Sequence, residues 1–212
     1  LDIATSDEIG NTVTVLLNQG SRSFAPAVSK DTGGSPQALV VADFNGDHFA
    51  DVATANNFDG TVTILFGAGD GTFDHPPRSV TVGAEPVGLA LADLNGDTLP
   101  DLVVTNSAGG SGGNGTVSVL KGVAGGMFEA QSEIALPASC GTLACVPVAV
   151  TIADLNGDHK PDVIVANYES DTVSVLLNNG NLSNHCSVTT QSPCSLDADC
   201  PQGETCLPMF AP

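Results

Sequence analysis

Three stretches of the chain carry the same run of oxygen-bearing side chains. Asp43, Asn45, Asp47 and Asp51 recur as Asp93, Asn95, Asp97 and Asp101, and again as Asp154, Asn156, Asp158 and Asp162. Each run reads Asp-x-Asn-Gly-Asp-x-x-x-Asp and spans 43–51, 93–101 or 154–162. Alternate residues of a tight loop can aim their side chains at one point. The backbone carbonyl of the seventh residue (Phe49, Leu99 or Lys160) can complete the ring. Six to eight hard oxygen donors at roughly 2.3–2.6 Å are what calcium takes, whereas magnesium demands stricter octahedra and keeps its water. The pattern therefore predicts about three Ca2+ ions, one for each loop. Electrostatics points the same way, because each loop gathers three carboxylates that repel by about 1 kcal/mol per pair in water. A divalent ion reverses that repulsion. Gly46, Gly96 and Gly157 at the fourth position allow the sharp turn.

Other chemistries fit less well. Asp, Asn and Gly also build metal-free turns, but three copies at matching places favour a common ligand. An EF-hand needs Glu at the twelfth position, where this chain has Thr54, Val104 and Val165. Gly109-Gly110-Ser111-Gly112-Gly113 matches the spacing of a nucleophile elbow. That elbow requires a strand-to-helix turn, and here the run is a Gly-rich insertion. His48 and His159 sit inside the loops at positions that are not ligands, and His75 and His185 lie outside them. Paired carboxylates can hydrolyse glycosides, yet an active site seldom recurs three times in one chain. The expectation is a protein that is not an enzyme.

The elements that hold the loops follow from the surrounding residues. Pro36, Pro86 and Pro147 each lie seven positions before a loop, and each opens an apolar stretch. A second apolar stretch follows the loop, then a turn, then Thr-Val-x-x-Leu at Thr61–Leu65, Thr116–Leu120 and Thr172–Leu176. A Gly-rich turn and a fourth short stretch, such as Ser79–Val82, close the unit. Short segments rich in Val, Thr and Ile between Gly, Asn, Asp and Pro read as strands. No segment shows a helical period. The N-terminus joins the register partway: Leu1–Thr5 matches Ala50–Thr54, and Thr12–Leu16 matches Thr61–Leu65. The fold class expected is all-β, about four units at 1–35, 36–85, 86–146 and 147–184, the first truncated. Four short strands cannot bury both faces alone, so the units must stack, and their size fits propeller blades. Gly109–Gly113 and Ser139–Val146 read as surface insertions, and 185–212 as a Cys-rich appendage.

Composition narrows the partners. The net charge is −19 with five Lys and Arg, so phosphate-contacting nucleic-acid binding is excluded and an anionic membrane surface is disfavoured. Nine of the 24 acidic residues fall in the three loops, three in each. No 18-residue apolar run is present, so no membrane insertion is expected. Six Cys without a Cys-x-x-Cys read as disulfides in an oxidising, extracellular setting. Cys140–Cys145 is the favoured local bridge, and the pairing of Cys186, Cys194, Cys200 and Cys206 stays open. Asn114 and Asn181 head glycosylation sequons. The chain starts with Leu1 and shows no signal peptide, which reads as a processed form or a piece of something longer.

The units resemble the FG-GAP and VCBS-type repeats of integrin-α-like β-propellers. The match is carried by Leu65-Phe66-Gly67-Ala68-Gly69-Asp70-Gly71-Thr72-Phe73, then Pro86, then Ala92-Asp93-Leu94-Asn95-Gly96-Asp97, and it covers about 1–180. The resemblance implies blades with calcium between the first two strands of each. It normally has Gly at the sixth loop position, where this chain has His48, Thr98 and His159. A residue there is expected to need φ > 0, which His tolerates better than most. Family propellers close with more blades than this chain supplies. The expectation is a secreted or cell-surface scaffold, structural or adhesive, that meets protein partners or itself through its blades. A carbohydrate-binding or carbohydrate-processing propeller is the rival, weakened by one Tyr and no Trp.

Overall fold

The computed structural model describes residues 1–108, 114–130, 132–136 and 144–178, and the backbone of Ser187–Thr189. Cys140, Asn181, most of the two insertions and the four Cys of the tail lie outside the described residues. All regular structure among the described residues is β.

Unit one holds β1 (Ile3–Asp7), β2 (Thr12–Leu16) and β5 (Val28–Asp31) in a three-stranded sheet. A two-stranded ribbon of β3 (Asn18–Gly20) and β4 (Ser23–Phe24) lies between β2 and β5 in sequence. Unit two is a four-stranded sheet of β6 (Pro36–Ala42), β7 (Asp51–Asn56), β8 (Thr61–Leu65) and β9 (Arg78–Thr81). Unit three repeats it with β10 (Pro86–Ala92), β11 (Asp101–Asn106) and β12 (Thr116–Leu120). The ribbon β13 (Gly122–Val123) and β14 (Met127–Phe128) follows, and β15 (Ser132–Ala135) closes the sheet. Unit four has β16 (Pro147–Ala153), β17 (Asp162–Asn167), β18 (Thr172–Leu176) and β19 (Ser187–Thr189). Its last strand therefore begins beyond residue 184, inside the segment read as appendage.

Every pairing is antiparallel and every sheet is ordered as the chain runs. In units two to four the ninth Asp of the loop faces the last residue of the first strand, as Ala42↔Asp51, Ala92↔Asp101 and Ala153↔Asp162. The acidic loops are thus the hairpin connections between first and second strands. The same register shift follows each opening Pro, at Pro36/Ala38, Pro86/Gly88 and Pro147/Ala149. A Pro has no N–H for the ladder and is tolerated at a strand's first residue or at a bulge.

The core lies between units rather than within them. Val13 packs with Val52 and Leu65 between units one and two. Phe44, Ile64 and Phe66 pack with Leu102, Val104 and Leu120 between units two and three. Leu94, Val103 and Val119 pack with Val163, Val165 and Leu176 between units three and four. Second and third strands such as Asp51–Asn56 and Thr116–Leu120 are buried along their whole length, because sheets stack on both faces. Each buried Leu or Ile contributes about 1.5–3 kcal/mol relative to exposure, so stacking supplies what no single four-stranded sheet could. Cys145 is fully buried in the last cluster and disulfide-bonded, its partner lying outside the described residues. Among the described residues no helix is long and apolar enough to cross a membrane.

Candidate metal-binding loops

The three loops are built alike to within a few tenths of an ångström. The first Asp folds back onto the backbone ahead of it. Asp43 Oδ1 accepts from the N–H groups of Gly46 (2.7 Å) and Asp47 (3.2 Å), and Oδ2 accepts from His48 (2.8 Å). Asp93 does the same with Gly96, Asp97 and Thr98 at 2.7, 3.1 and 2.8 Å. Asp154 accepts from Gly157 and His159 at 2.7 and 2.9 Å. The third residue accepts from the fifth, as Asp47 N–H to Asn45 Oδ1 at 2.8 Å, with equivalents at Asn95 and Asn156. The fifth accepts from the seventh, at 2.8 Å for Phe49, 2.8 Å for Leu99 and 2.9 Å for Lys160. In each loop the first, third and fifth side chains thus turn onto the loop's own backbone.

The sixth position is left-handed, with φ of 72° at His48, 72° at Thr98 and 65° at His159. The fourth is left-handed too, with Gly46 at 82°. His and especially Thr are costly at such angles, about 1–3 kcal/mol each, and the convergent hydrogen bonds to the first Asp hold them there. The imidazoles of His48 and His159 point to solvent, 95% and 96% exposed, and lie 3.7 and 3.9 Å from the first Asp.

The ninth Asp behaves differently. Asp51, Asp101 and Asp162 are fully buried. Each accepts one N–H from the second loop residue: Phe44 at 2.9 Å, Leu94 at 2.8 Å and Leu155 at 2.9 Å. Each accepts another from the residue two places past the third strand: Gly67 at 2.9 Å, Gly122 at 2.8 Å and Asn178 at 2.8 Å. One carboxylate therefore ties the first hairpin to the end of the third strand. Asp2 accepts from Asn18 N–H at 2.8 Å, as Asp51 accepts from Gly67. In units two and three the approach is close enough to require glycine: a Cβ on Gly67 would stand 2.2 Å from the Ala50 carbonyl oxygen, and one on Gly122 2.4 Å from that of Pro100.

Charge is distributed to match. Burial pushes the carboxyls of Asp51 and Asp101 above the usual range despite their two N–H bonds, and the neighbouring Asp47, or Asp97 and Asp93, add to the rise. For Asp43 and Asp154 burial acts upward as well, but backbone N–H donors outweigh it and the carboxyls sit low. The donor set is oxygen only, three carboxylates and an amide per loop. That chemistry fits a hard divalent cation. As the side chains stand they are turned onto their own backbone, and among the described residues no three His, Cys, Asp or Glu converge as a ready metal cage. Each carboxylate oxygen engaged by one N–H keeps a further lone pair, so the loops retain acceptor capacity.

A second polar feature goes beyond the loops. Asn56, Asn106 and Asn167 end the second strand, are 0%, 0% and 3% exposed, and bridge to the third strand. Their Nδ2 groups donate to Thr61 and Thr63, Thr116 and Ser118, and Thr172 and Ser174 at 2.8–3.1 Å. The signal was present as an Asn five places after each ninth Asp, with hydroxyl residues on the facing strand. Asn114, by contrast, is 7% exposed and its Oδ1 accepts from Cys145 N–H at 2.8 Å, so its sequon is committed to structure.

Stacked four-stranded antiparallel units with an acidic hairpin at the same corner of each define a propeller-like repeat scaffold. An FG-GAP-like repeat model matches residues 43–104, and an FG-GAP repeat model matches 146–182. The chain therefore carries FG-GAP repeats at 43–104 and 146–182. No match is found among curated proteins. Among solved structures the chain is similar to a functionally unknown protein from Desulfotomaculum acetoxidans DSM 771, with 11% identity and a TM-score of 0.46. That similarity covers 88% of this chain and 64% of the other.

Proposed function

We propose that the protein is an extracellular, non-enzymatic structural or adhesive scaffold whose blades are braced by calcium. The carrying observation is the repetition itself: the same acidic hairpin, with the same hydrogen bonds, stands at the same corner of three consecutive units. Chemistry performed once needs one singular constellation, whereas bracing is needed in every blade. Asp43, Asn45, Asp47, Asp51 and the Phe49 carbonyl would hold one ion, and the corresponding sets of units three and four would hold the others. The ion would supply only charge neutralisation and cross-linking. It would offset the burial that raises the carboxyls of Asp51 and Asp101 and the lesser push from their acidic neighbours. The acidic surface and the few basic residues suit cation binding and protein contacts through the blades, and not nucleic acid.

Chelation tests this reading. A ligand that binds only the folded state at 100 times its dissociation constant stabilises by about 2.7 kcal/mol per site. Three sites should therefore separate the melting temperatures in EGTA and in calcium by about 10 °C or more. Melting curves that superimpose would end the calcium reading. Electron microscopy of native material distinguishes assembly from isolated particles.

A further inference from the structure

Each acidic loop places an Asn directly before a Gly, at Asn45-Gly46, Asn95-Gly96 and Asn156-Gly157. That pair is prone to lose its side-chain amide, because a following Gly has no Cβ to hinder attack on the amide carbon and lets the backbone turn freely. The three glycines are exposed, and nothing lies within 4 Å of where a Cβ would stand on any of them, so water reaches them freely. Yet the reacting groups are already engaged. The attacking nitrogen donates its N–H to the first Asp: Gly46 to Asp43 Oδ1, Gly96 to Asp93 Oδ1 and Gly157 to Asp154 Oδ1, each at 2.7 Å. The amide is held by the fifth residue, whose N–H donates to Asn45, Asn95 or Asn156 Oδ1 at 2.8, 2.8 and 2.9 Å. Asn45 and Asn95 also donate from Nδ2 to Asp47 and Asp97, at 2.8 and 2.9 Å. Asn114-Gly115 is shielded differently: Asn114 is buried, and the Cys145 backbone engages both its Oδ1 and the Gly115 N–H.

We propose that the three loop Asn-Gly pairs are latent sites of spontaneous deamidation, and that the first Asp of each loop is the group that keeps them closed. In the reaction the Gly46 nitrogen gives up its proton and attacks Asn45 Cγ. The new C–N bond closes a succinimide ring, the Cγ–Nδ2 bond breaks, and the amide nitrogen leaves as ammonia with that proton. Water then opens the ring at either carbonyl, leaving aspartate or isoaspartate at position 45. No electron transfer is involved. A carboxylate on the N–H opposes the first step twice: it occupies the nitrogen, and its charge disfavours removal of the proton. A loop that opens takes on one more negative charge. Its isoaspartate product also lengthens the backbone by a methylene, so the N–H groups of Gly46, Asp47 and His48 no longer converge on Asp43. Units two to four thus each carry an irreversible record of loop opening. The chemistry uses no metal ion, so it stands or falls independently of the calcium reading.

The test follows amide loss at Asn45, Asn95 and Asn156 in the full chain by peptide mapping and mass spectrometry, in EGTA at one mildly alkaline pH. In the native chain each should react about 10–100-fold more slowly than in urea, the factor for one hydrogen bond to a charged acceptor. Asp43→Ala should speed loss at Asn45 at least about tenfold while Asn95 in the same molecules keeps the parent rate. If that variant unfolds, Asn95 and Asn156 accelerate with Asn45, and Asp43→Asn decides, since it keeps the acceptor oxygen without its charge. A smaller rise confined to Asn45 is then expected. Native rates equal to those in urea overturn the proposal. So does a rise at Asn45 no larger than at Asn95, whether in a folded Asp43→Ala or in Asp43→Asn.

Discussion

Replacing Asp101 by Asn separates the bracing role of the ninth loop residue from metal binding. Asp101 is fully buried and accepts from Leu94 and Gly122 N–H groups, both at 2.8 Å. Bonds to a charged acceptor contribute about 1.5–3 kcal/mol each. The amide keeps one acceptor oxygen and turns an NH2 toward the other donor, leaving a buried N–H without a partner at about 1–3 kcal/mol. Against this, the substitution removes a buried charge that its surroundings disfavour, since burial and Asp97 and Asp93 already raise its carboxyl. The balance is a loss of about 2–4 kcal/mol, or about 5–15 °C of melting temperature for a chain of this size. The assay is thermal and urea unfolding in EGTA, where no ion can contribute. Asp97→Asn is the control: its site is exposed, so it should stay within about 0.5 kcal/mol in EGTA while weakening the response to calcium. If Asp101→Asn unfolds with Asp97→Asn in EGTA, the bracing argument fails.

Further outcomes follow from the same geometry. Gly122→Ala drives a Cβ to 2.4 Å from the Pro100 carbonyl oxygen and should cost about 1–3 kcal/mol, measured by urea midpoint. Asn106 Oδ1 is buried with no hydrogen-bond partner, whereas Asn56 Oδ1 accepts from Thr54 at 3.0 Å. Val104→Thr copies that donor into unit three and should fall within about 0.5 kcal/mol of the parent, where a buried Val→Thr without a partner would lose about 1–3 kcal/mol. Acid unfolding in EGTA should show two regimes. As pH falls from neutral toward 3.8, Asp51 and Asp101, whose folded carboxyls titrate above that value, add stability by taking up protons more readily than the unfolded chain. Below 3.8 the low-titrating Asp43 and Asp154 reverse the trend, because their contribution is lost as pH falls through their folded range. A monotonic loss of stability from pH 7 downward would contradict that assignment.

Much of this architecture is legible from local chemistry. The loops are encoded within nine residues, and their internal bonds join positions no more than seven apart, as from Phe44 to Asp51. The left-handed sixth position, the hairpin between first and second strands and the partial first unit all follow from repeat spacing, because strand pairing across a short loop leaves few registers. What lay outside local pattern is decided at longer range. The loops read as a ring of equal ligands, yet the structure buries the ninth Asp and sends its second oxygen to Gly67, 16 residues on. That contact exists only once the third strand is registered against the second. The Asn56, Asn106 and Asn167 bridges depend on the same registration. Sequence alone determined which residues repeat and how each hairpin closes, since those forces act over a few bonds. Tertiary structure alone decided which carboxylate is buried and which strands are covered on both faces, since burial depends on what the neighbouring sheet covers.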